Sequence, residues 1–185
     1  MSIFSELQKR FAKWRENHLK YQRDSTQFVF SLAAGLSKHI DAPSSYQITS
    51  DSGVITERYV QPINVTLDEN GLMQCHSPTS PADVLTRSAK DGYWTSGIRL
   101  IVDQAANVHP KHEFNFMNHF IIRDQSGEVE MAGETFKFQT DDPDTLIPIY
   151  VAIVESMEKS LAQLPWETFP LKHYIGFKFP AENCN

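Results

Sequence analysis

The chain lacks the short motifs by which many nucleotide-binding and hydrolytic proteins are identified. Its eight glycines are dispersed, so neither a phosphate-binding loop nor a dinucleotide-binding fingerprint occurs. The Gly-x-Ser-x-Gly pattern that positions a nucleophilic serine is also missing. These absences exclude the motif-defined nucleotide-binding and serine-hydrolase classes, and they favour a protein without catalytic activity.

Cysteine and long apolar runs are scarce as well. The two cysteines, Cys75 and Cys184, follow no paired spacing, which predicts reduced thiols in a reducing compartment. The best apolar run, Leu146 to Val154, is too short to span a membrane and contains Pro148. The N-terminus has neither the apolar region nor the cleavage site of a secretory signal. We therefore expect a cytoplasmic protein without a transmembrane segment.

Basic residues are concentrated at the start of the chain, whereas the remainder is acidic. Met1 to Ile40 contain seven Lys or Arg residues and three acidic residues, a local net charge of +4. Because the whole chain carries −6, residues 41–185 carry −10. The opening segment also has no proline and a single glycine. This composition predicts a basic N-terminal helix attached to an acidic body.

Large apolar residues recur in that segment at alternating spacings of three and four, which places them on one stripe of a helix. The interaction surface predicted from this spacing consists of Phe4, Leu7, Phe11, Trp14, His18 and Tyr21. The spacing is close to a heptad repeat, so a helix–helix contact is favoured over other uses of the stripe. Burial of each large apolar side chain is worth about 1.5–3 kcal/mol, which argues against leaving all of them in water.

A single helix over residues 3–39 would be about 55 Å long, whereas a body of this size has a diameter of about 40 Å. Such a helix must either overhang the body or break. Asp24-Ser25-Thr26-Gln27 contains a helix-cap signal, so we expect a kink or break near Asp24. The chain is expected to form one domain over residues 1–185, with residues 1–24 as a protruding amphipathic helix.

After Pro43 the apolar period changes from helical to alternating, with frequent turn residues. Short connections favour antiparallel pairing, because parallel strands need long crossovers. The segment from Glu128 to Gln139 is expected to form one strand with a bulge at Gly133. Asp141-Asp142-Pro143 then opens a second helix. The predicted class is α+β: a long N-terminal helix, an antiparallel sheet of five to seven strands, a C-terminal helix and a final strand.

Potential metal ligands are densest around one predicted strand, at His109, His112, Glu113 and His119. Imidazole and carboxylate groups bind Zn and related divalent metals. However, strand alternation places His112 and His119 on opposite faces, and the spacing does not fit the His-Glu-x-x-His pattern. A metal-dependent hydrolase that uses His109, His112 and His119 is therefore an alternative hypothesis, and no cofactor is otherwise expected.

Basic residues opposite the stripe suggest a second alternative. Lys9, Lys13, Lys20 and Arg23 share one helical side and could neutralise several phosphates of a nucleic acid. The acidic body would repel a polyanion, and the pI of about 5.6 is far below that of typical nucleic-acid-binding proteins. Binding to a membrane surface would use the same helix.

The combination of an aromatic helix, a charge asymmetry and no catalytic pattern favours a non-enzymatic protein-interaction module. An accessory subunit, an inhibitor or a chaperone-like factor would fit this description. We expect the N-terminal helix to mediate self-association or to bind a protein partner, and the acidic sheet face to meet a basic partner.

Overall fold

The computed structural model describes residues 2–50, 53–88, 91–103, 111–162 and 175–177. The chain begins with helix α1, Ile3–His39, and its second α-helix is α2, Ile147–Ala162. The strands are β1 Tyr46–Ser50, β2 Gly53–Glu57, β3 Val60–Leu67, β4 Met73–His76, β5 Thr86–Arg87, β6 Trp94–Asp103, β7 Lys111–Arg123, β8 Ser126–Met131, β9 Glu134–Gln139 and β10 Ile175–Phe177. Neither α1 nor α2, the α-helices of the described ranges, combines the length and apolar character needed to cross a lipid bilayer.

The strands form one large sheet and one small one. The continuous path through the large sheet is β4-β3-β6-β7-β8-β9, while β5 pairs with β6 and β10 pairs with β7. All of these pairings are antiparallel, and β1 with β2 forms a separate antiparallel hairpin. The predicted α+β architecture is confirmed, with an antiparallel sheet whose strands mostly lie between the two helices in the sequence.

The main core lies between one face of the large sheet and the two helices. Side chains of β6 and β7 alternate across the sheet, so Leu100 and its register partner Phe114 project together towards α1. From the helices, Leu32 and Ile153 enter the same core and are completely buried. The opposite face of β6 and β7 carries polar side chains, among them His119. The helices therefore cover one face of the sheet only.

Helix α1 runs without interruption through Asp24, so the predicted break there was wrong. Ser25 is fully buried against the sheet, and the Thr26 hydroxyl donates to the Gln22 carbonyl oxygen at 2.9 Å within the helix. Ser25 and Thr26 are therefore interior residues of α1, and neither caps the start of a new helix. Of the two alternatives set by the helix length, the overhang is the one observed.

The segment after Glu128 also differs from the expected single strand. It forms two strands, β8 and β9, which pair with each other around Ala132 and Gly133. Both turn residues have positive φ, 54° and 83°, as a two-residue hairpin turn requires. The Gly133 signal therefore marked a tight turn, and the bulge prediction was wrong.

Candidate functional site

Residues 3–17 of α1, here called the arm, are exposed along their whole length apart from the half-buried Ser5. The exposed fractions of the apolar side chains are large: 69% for Phe4, 58% for Leu7, 62% for Phe11 and 57% for Trp14. Monomeric proteins rarely leave a contiguous row of large apolar side chains in water. The arm is thus a helical segment with an uncovered apolar face.

The aromatic side chains of the stripe are ordered by stacking along the helix. The Phe11 and Trp14 rings lie 5.9 Å apart, and the Trp14 and His18 rings lie 5.3 Å apart and are nearly parallel. Because these contacts lie within one helix, they fix the side-chain orientations without covering the rings. The stripe therefore presents a preorganised surface.

The body of the protein begins to cover the stripe at His18. The His18 Nδ1 lies 3.2 Å from Nη1 of Arg87, and the Tyr21 ring lies 5.7 Å from the ring of Trp94. Burial raises the pKa of the Tyr21 hydroxyl. Of the six predicted interaction residues, four are therefore uncovered and two, His18 and Tyr21, contact the body.

The predicted basic face lies on the exposed side of α1. Lys9, Lys13, Lys20 and Arg23 are all exposed. Lys20 Nζ lies 3.6 Å from Oδ2 of Asp24, and on the neighbouring side Arg10 Nε lies 3.3 Å from Oε1 of Glu6. These intrahelical pairs offset part of the positive charge that a polyanion would meet.

The structure does not bring the predicted metal ligands together. His109 lies outside the described residues. His112 and His119 are both on β7, where an unbroken register with β6 keeps them on opposite faces of the sheet. Among the described residues, no group of three or more His, Cys, Asp or Glu side chains is arranged to hold a metal ion.

His119 instead belongs to a polar cluster on the face of the sheet opposite the helices. Its Nε2 lies 3.3 Å from Oδ2 of Asp91, and its Nδ1 lies 3.2 Å from Oγ1 of Thr95. The Tyr93 ring stacks on the imidazole with centroids 4.8 Å apart. Since both ring nitrogens are within hydrogen-bond distance of protein groups, the imidazole is held in place by its neighbours.

This cluster lines a shallow depression of about 300 Å³ on the sheet surface. Its lining residues are Asp91, Tyr93, His119, Glu128, Glu130 and Thr135. The Tyr93 hydroxyl donates to Oε1 of Glu128, and this bond raises the pKa of Tyr93. The pKa of Asp91 is lowered, first by a hydrogen bond from Ser88 and then by the Tyr93 backbone N–H. The carboxylates of Asp91 and Glu128 are thus engaged by local donors.

Sequence reasoning identified the chemistry of this cluster only in part. Alternation along β7 correctly predicts the face that carries His119, but Asp91 precedes it by 28 positions. The two meet because β6 and β7 are paired from Trp94 to Asp103. A single sequence does not specify that register, so the signal was absent.

Comparison of the chain with models of known protein families, with curated proteins and with solved structures found no match.

Proposed function

We propose that the protein is a non-enzymatic, cytoplasmic protein-interaction module that assembles through the apolar face of the arm. The exposure of Phe4, Leu7, Phe11 and Trp14 on a continuous helix carries this proposal. Covering these side chains removes apolar area from water, and that removal is the main driving force of most protein association. The intrahelical stacking of Phe11 on Trp14 supports the proposal, because preorganised side chains lose less entropy on binding.

The two rival functions have weaker support. A metal-dependent hydrolase would need His112 and His119 to act together, although they occupy opposite faces of the sheet. A nucleic-acid-binding protein would use Lys9, Lys13, Lys20 and Arg23, but Lys20 is already paired with Asp24. The basic residues lie on the side of α1 opposite the apolar stripe, so neither function accounts for the exposure of the stripe.

Light scattering after size-exclusion chromatography tests the proposal over a range of protein concentrations. The unmodified chain is expected to show a mass above that of a monomer, and Phe11→Asp with Trp14→Asp is expected to abolish the association. Lys9→Ala with Lys13→Ala is the matched control, since it changes the net charge of the arm by the same −2 on the opposite face. The control is expected to associate at least as strongly as the unmodified chain, because its apolar face is intact and the positive charge of the arm is reduced.

Two outcomes would contradict the proposal. One is a monomer at every concentration, and the other is an assembled mass that the Phe11→Asp and Trp14→Asp changes leave intact. The thermal unfolding midpoint of each variant serves as the folding check. At a concentration where the chain is monomeric the midpoint is expected to be unchanged, because both substituted aromatic side chains are more than half exposed.

A further inference from the structure

The apolar stripe of α1 is buried along one part of the helix and exposed along another. At Phe28 it is buried, with ring centroids 4.3 Å from Phe138 and 4.9 Å from Phe120 of the sheet. From Phe4 to Trp14 the same stripe is exposed. A partner that covers the arm must therefore pack on the same side of α1 as the sheet does around Phe28. It must also end near His18, where the contacts between α1 and the rest of the protein begin.

The length of the arm limits what fits in that layer. Residues 3–17 form a segment of about 22 Å at the rise of an α-helix. At the C-terminal end of the arm, the stripe side of α1 is already occupied by the rest of the protein, through the contacts of His18 with Arg87 and of Tyr21 with Trp94. A second helix laid on the stripe must therefore end near His18, or it would collide with the sheet.

A second copy of the arm meets this limit in the antiparallel orientation only. With Leu7 opposite Phe11 and Phe4 opposite Trp14, residue 3 of one copy lies beside residue 15 of the other. Each body then lies beyond the N-terminus of the opposite arm. In a parallel pair, the stripes of the two α1 helices would face each other along their whole length. Each sheet packs on the stripe side of its own α1, so both sheets would have to occupy the same space between the helices.

The side chains of the arm are compatible with the antiparallel pair. The four apolar positions are symmetric about Lys9, so every large side chain faces another large side chain. Arg10 lies beside the two-fold axis, and its charge is partly offset by Glu6 of the same helix at 3.3 Å. Lys9 and Glu16 point away from the contact, at the outward positions of the heptad.

We propose, on the basis of the function proposed above, that the partner of the arm is the arm of a second copy in antiparallel register. Phe4 of each copy lies opposite Trp14 of the other, and Leu7 lies opposite Phe11. A two-fold contact of this kind is closed, so the assembly stops at two copies. The acidic bodies, which begin after the arms, lie at opposite ends of the dimer.

Disulfide trapping distinguishes the two orientations. In a background with Cys75→Ser and Cys184→Ser, Phe4→Cys chains are mixed with Trp14→Cys chains under mild oxidation. The mixture is expected to form a cross-linked dimer, whereas each variant alone is not. In the antiparallel register the Phe4 positions of the two copies lie about 15 Å apart along the axis, and a disulfide needs Cα atoms within about 7 Å.

A flanking pair repeats the test with the stripe intact. Ile3→Cys chains mixed with Asn17→Cys chains are expected to cross-link. In the antiparallel register, residue 3 of one copy and residue 17 of the other lie near each other along the same edge of the helix pair. Lys9→Cys mixed with Glu16→Cys is the control that is expected to remain uncoupled. The flanking pair keeps the inference testable if loss of Phe4 or Trp14 weakens the association itself.

The outcomes separate this inference from the proposed function. Cross-linking of Phe4→Cys chains with themselves, or an assembled mass other than two copies, would overturn the antiparallel dimer and leave the interaction module standing. A monomer whose tryptophan emission shifts to the blue on vesicles of phosphatidylcholine and phosphatidylserine would assign the arm to a membrane surface. That result would overturn both.

Discussion

Individual polar residues beneath α1 weaken an otherwise apolar core. Ser25, Ser96 and Asn118 are fully buried, and Asn118 Nδ2 donates to Ser96 Oγ at 3.4 Å. Within the described residues, neither Ser25 Oγ nor Asn118 Oδ1 has a hydrogen-bond partner. An unsatisfied buried polar group costs about 1–3 kcal/mol, so this part of the helix is held less firmly than the part around Leu32.

The Ser25 hydroxyl provides a direct test of that cost. We expect Ser25→Ala to raise the free energy of unfolding by about 1 kcal/mol, because it removes a buried donor without opening a large cavity. Ala33→Ser, the reverse change at a buried alanine of the same helix, is expected to lower the free energy of unfolding by about 1–3 kcal/mol. Denaturant unfolding of both variants measures the difference. Equal destabilisation by the two changes would show that the Ser25 hydroxyl is satisfied, for instance by an ordered water.

For individual residues, the sequence predicts the face of a strand or helix on which a side chain lies better than it predicts the neighbours of that side chain. Strand alternation correctly separates His112 from His119 on β7. It does not predict Asp91 beside His119, because that contact depends on the pairing of β6 with β7. The interaction prediction likewise grouped His18 and Tyr21 with the four uncovered residues. Helical spacing defines the stripe, but only the position of the sheet decides where it becomes covered.

At the scale of elements, α1 shows tertiary packing overriding a local signal. Its apolar period predicted a helix over residues 3–39, and the observed helix has those bounds. The cap-like sequence at Asp24 predicted a break that does not occur, because Ser25 is buried against the sheet while the Thr26 hydroxyl bonds within the helix. The β8–β9 hairpin was missed for a related reason: Gly133 signals a change of direction without specifying a turn or a bulge.

The exposure of the arm predicts that α1 divides into two energetically separate halves. Lys13→Pro is expected to reduce helix content, since an interior proline costs a helix about 3 kcal/mol or more. It should leave the unfolding midpoint of the body unchanged, because Lys13 is exposed and its arm neighbours are uncovered. Leu32→Ala, in the buried half, is expected to cost about 2–5 kcal/mol.

Far-ultraviolet circular dichroism and thermal unfolding, measured at a concentration where the chain is monomeric, test this division. A lower midpoint for Lys13→Pro, approaching that of Leu32→Ala, would mean that the arm is coupled to the body after all. The same experiment tests the prediction that residues 1–24 protrude from a single domain.

At the scale of the whole molecule, the sheet with its two helices was predictable and the function was not. Alternating strands, short turns and two helical periods were enough for the α+β class, whereas strand order and register depend on contacts between distant residues. The charge asymmetry was also evident from the sequence, but charge alone does not distinguish a solvated surface from a binding surface. The exposure of Phe4 and Trp14 made the apolar side of the arm the stronger candidate.

The charge of the arms predicts how their association responds to salt. Each arm has four basic and two acidic residues, a net charge of +2, so two paired arms repel each other. Added sodium chloride screens that repulsion, whose range is about 10 Å at 0.1 M ionic strength. We therefore expect the dimer dissociation constant, measured by sedimentation, to fall about three- to tenfold between low and high salt.

The opposite response would identify a different partner for the arm. If a basic arm docked on the acidic body of another copy, salt would weaken the association, because the attraction between opposite charges would be screened. Nucleic-acid binding would weaken even more steeply, since it depends on the release of counterions. Lys9→Ala with Lys13→Ala separates these cases at constant salt: it should strengthen an arm–arm dimer by reducing the repulsion, and weaken either charge-driven complex.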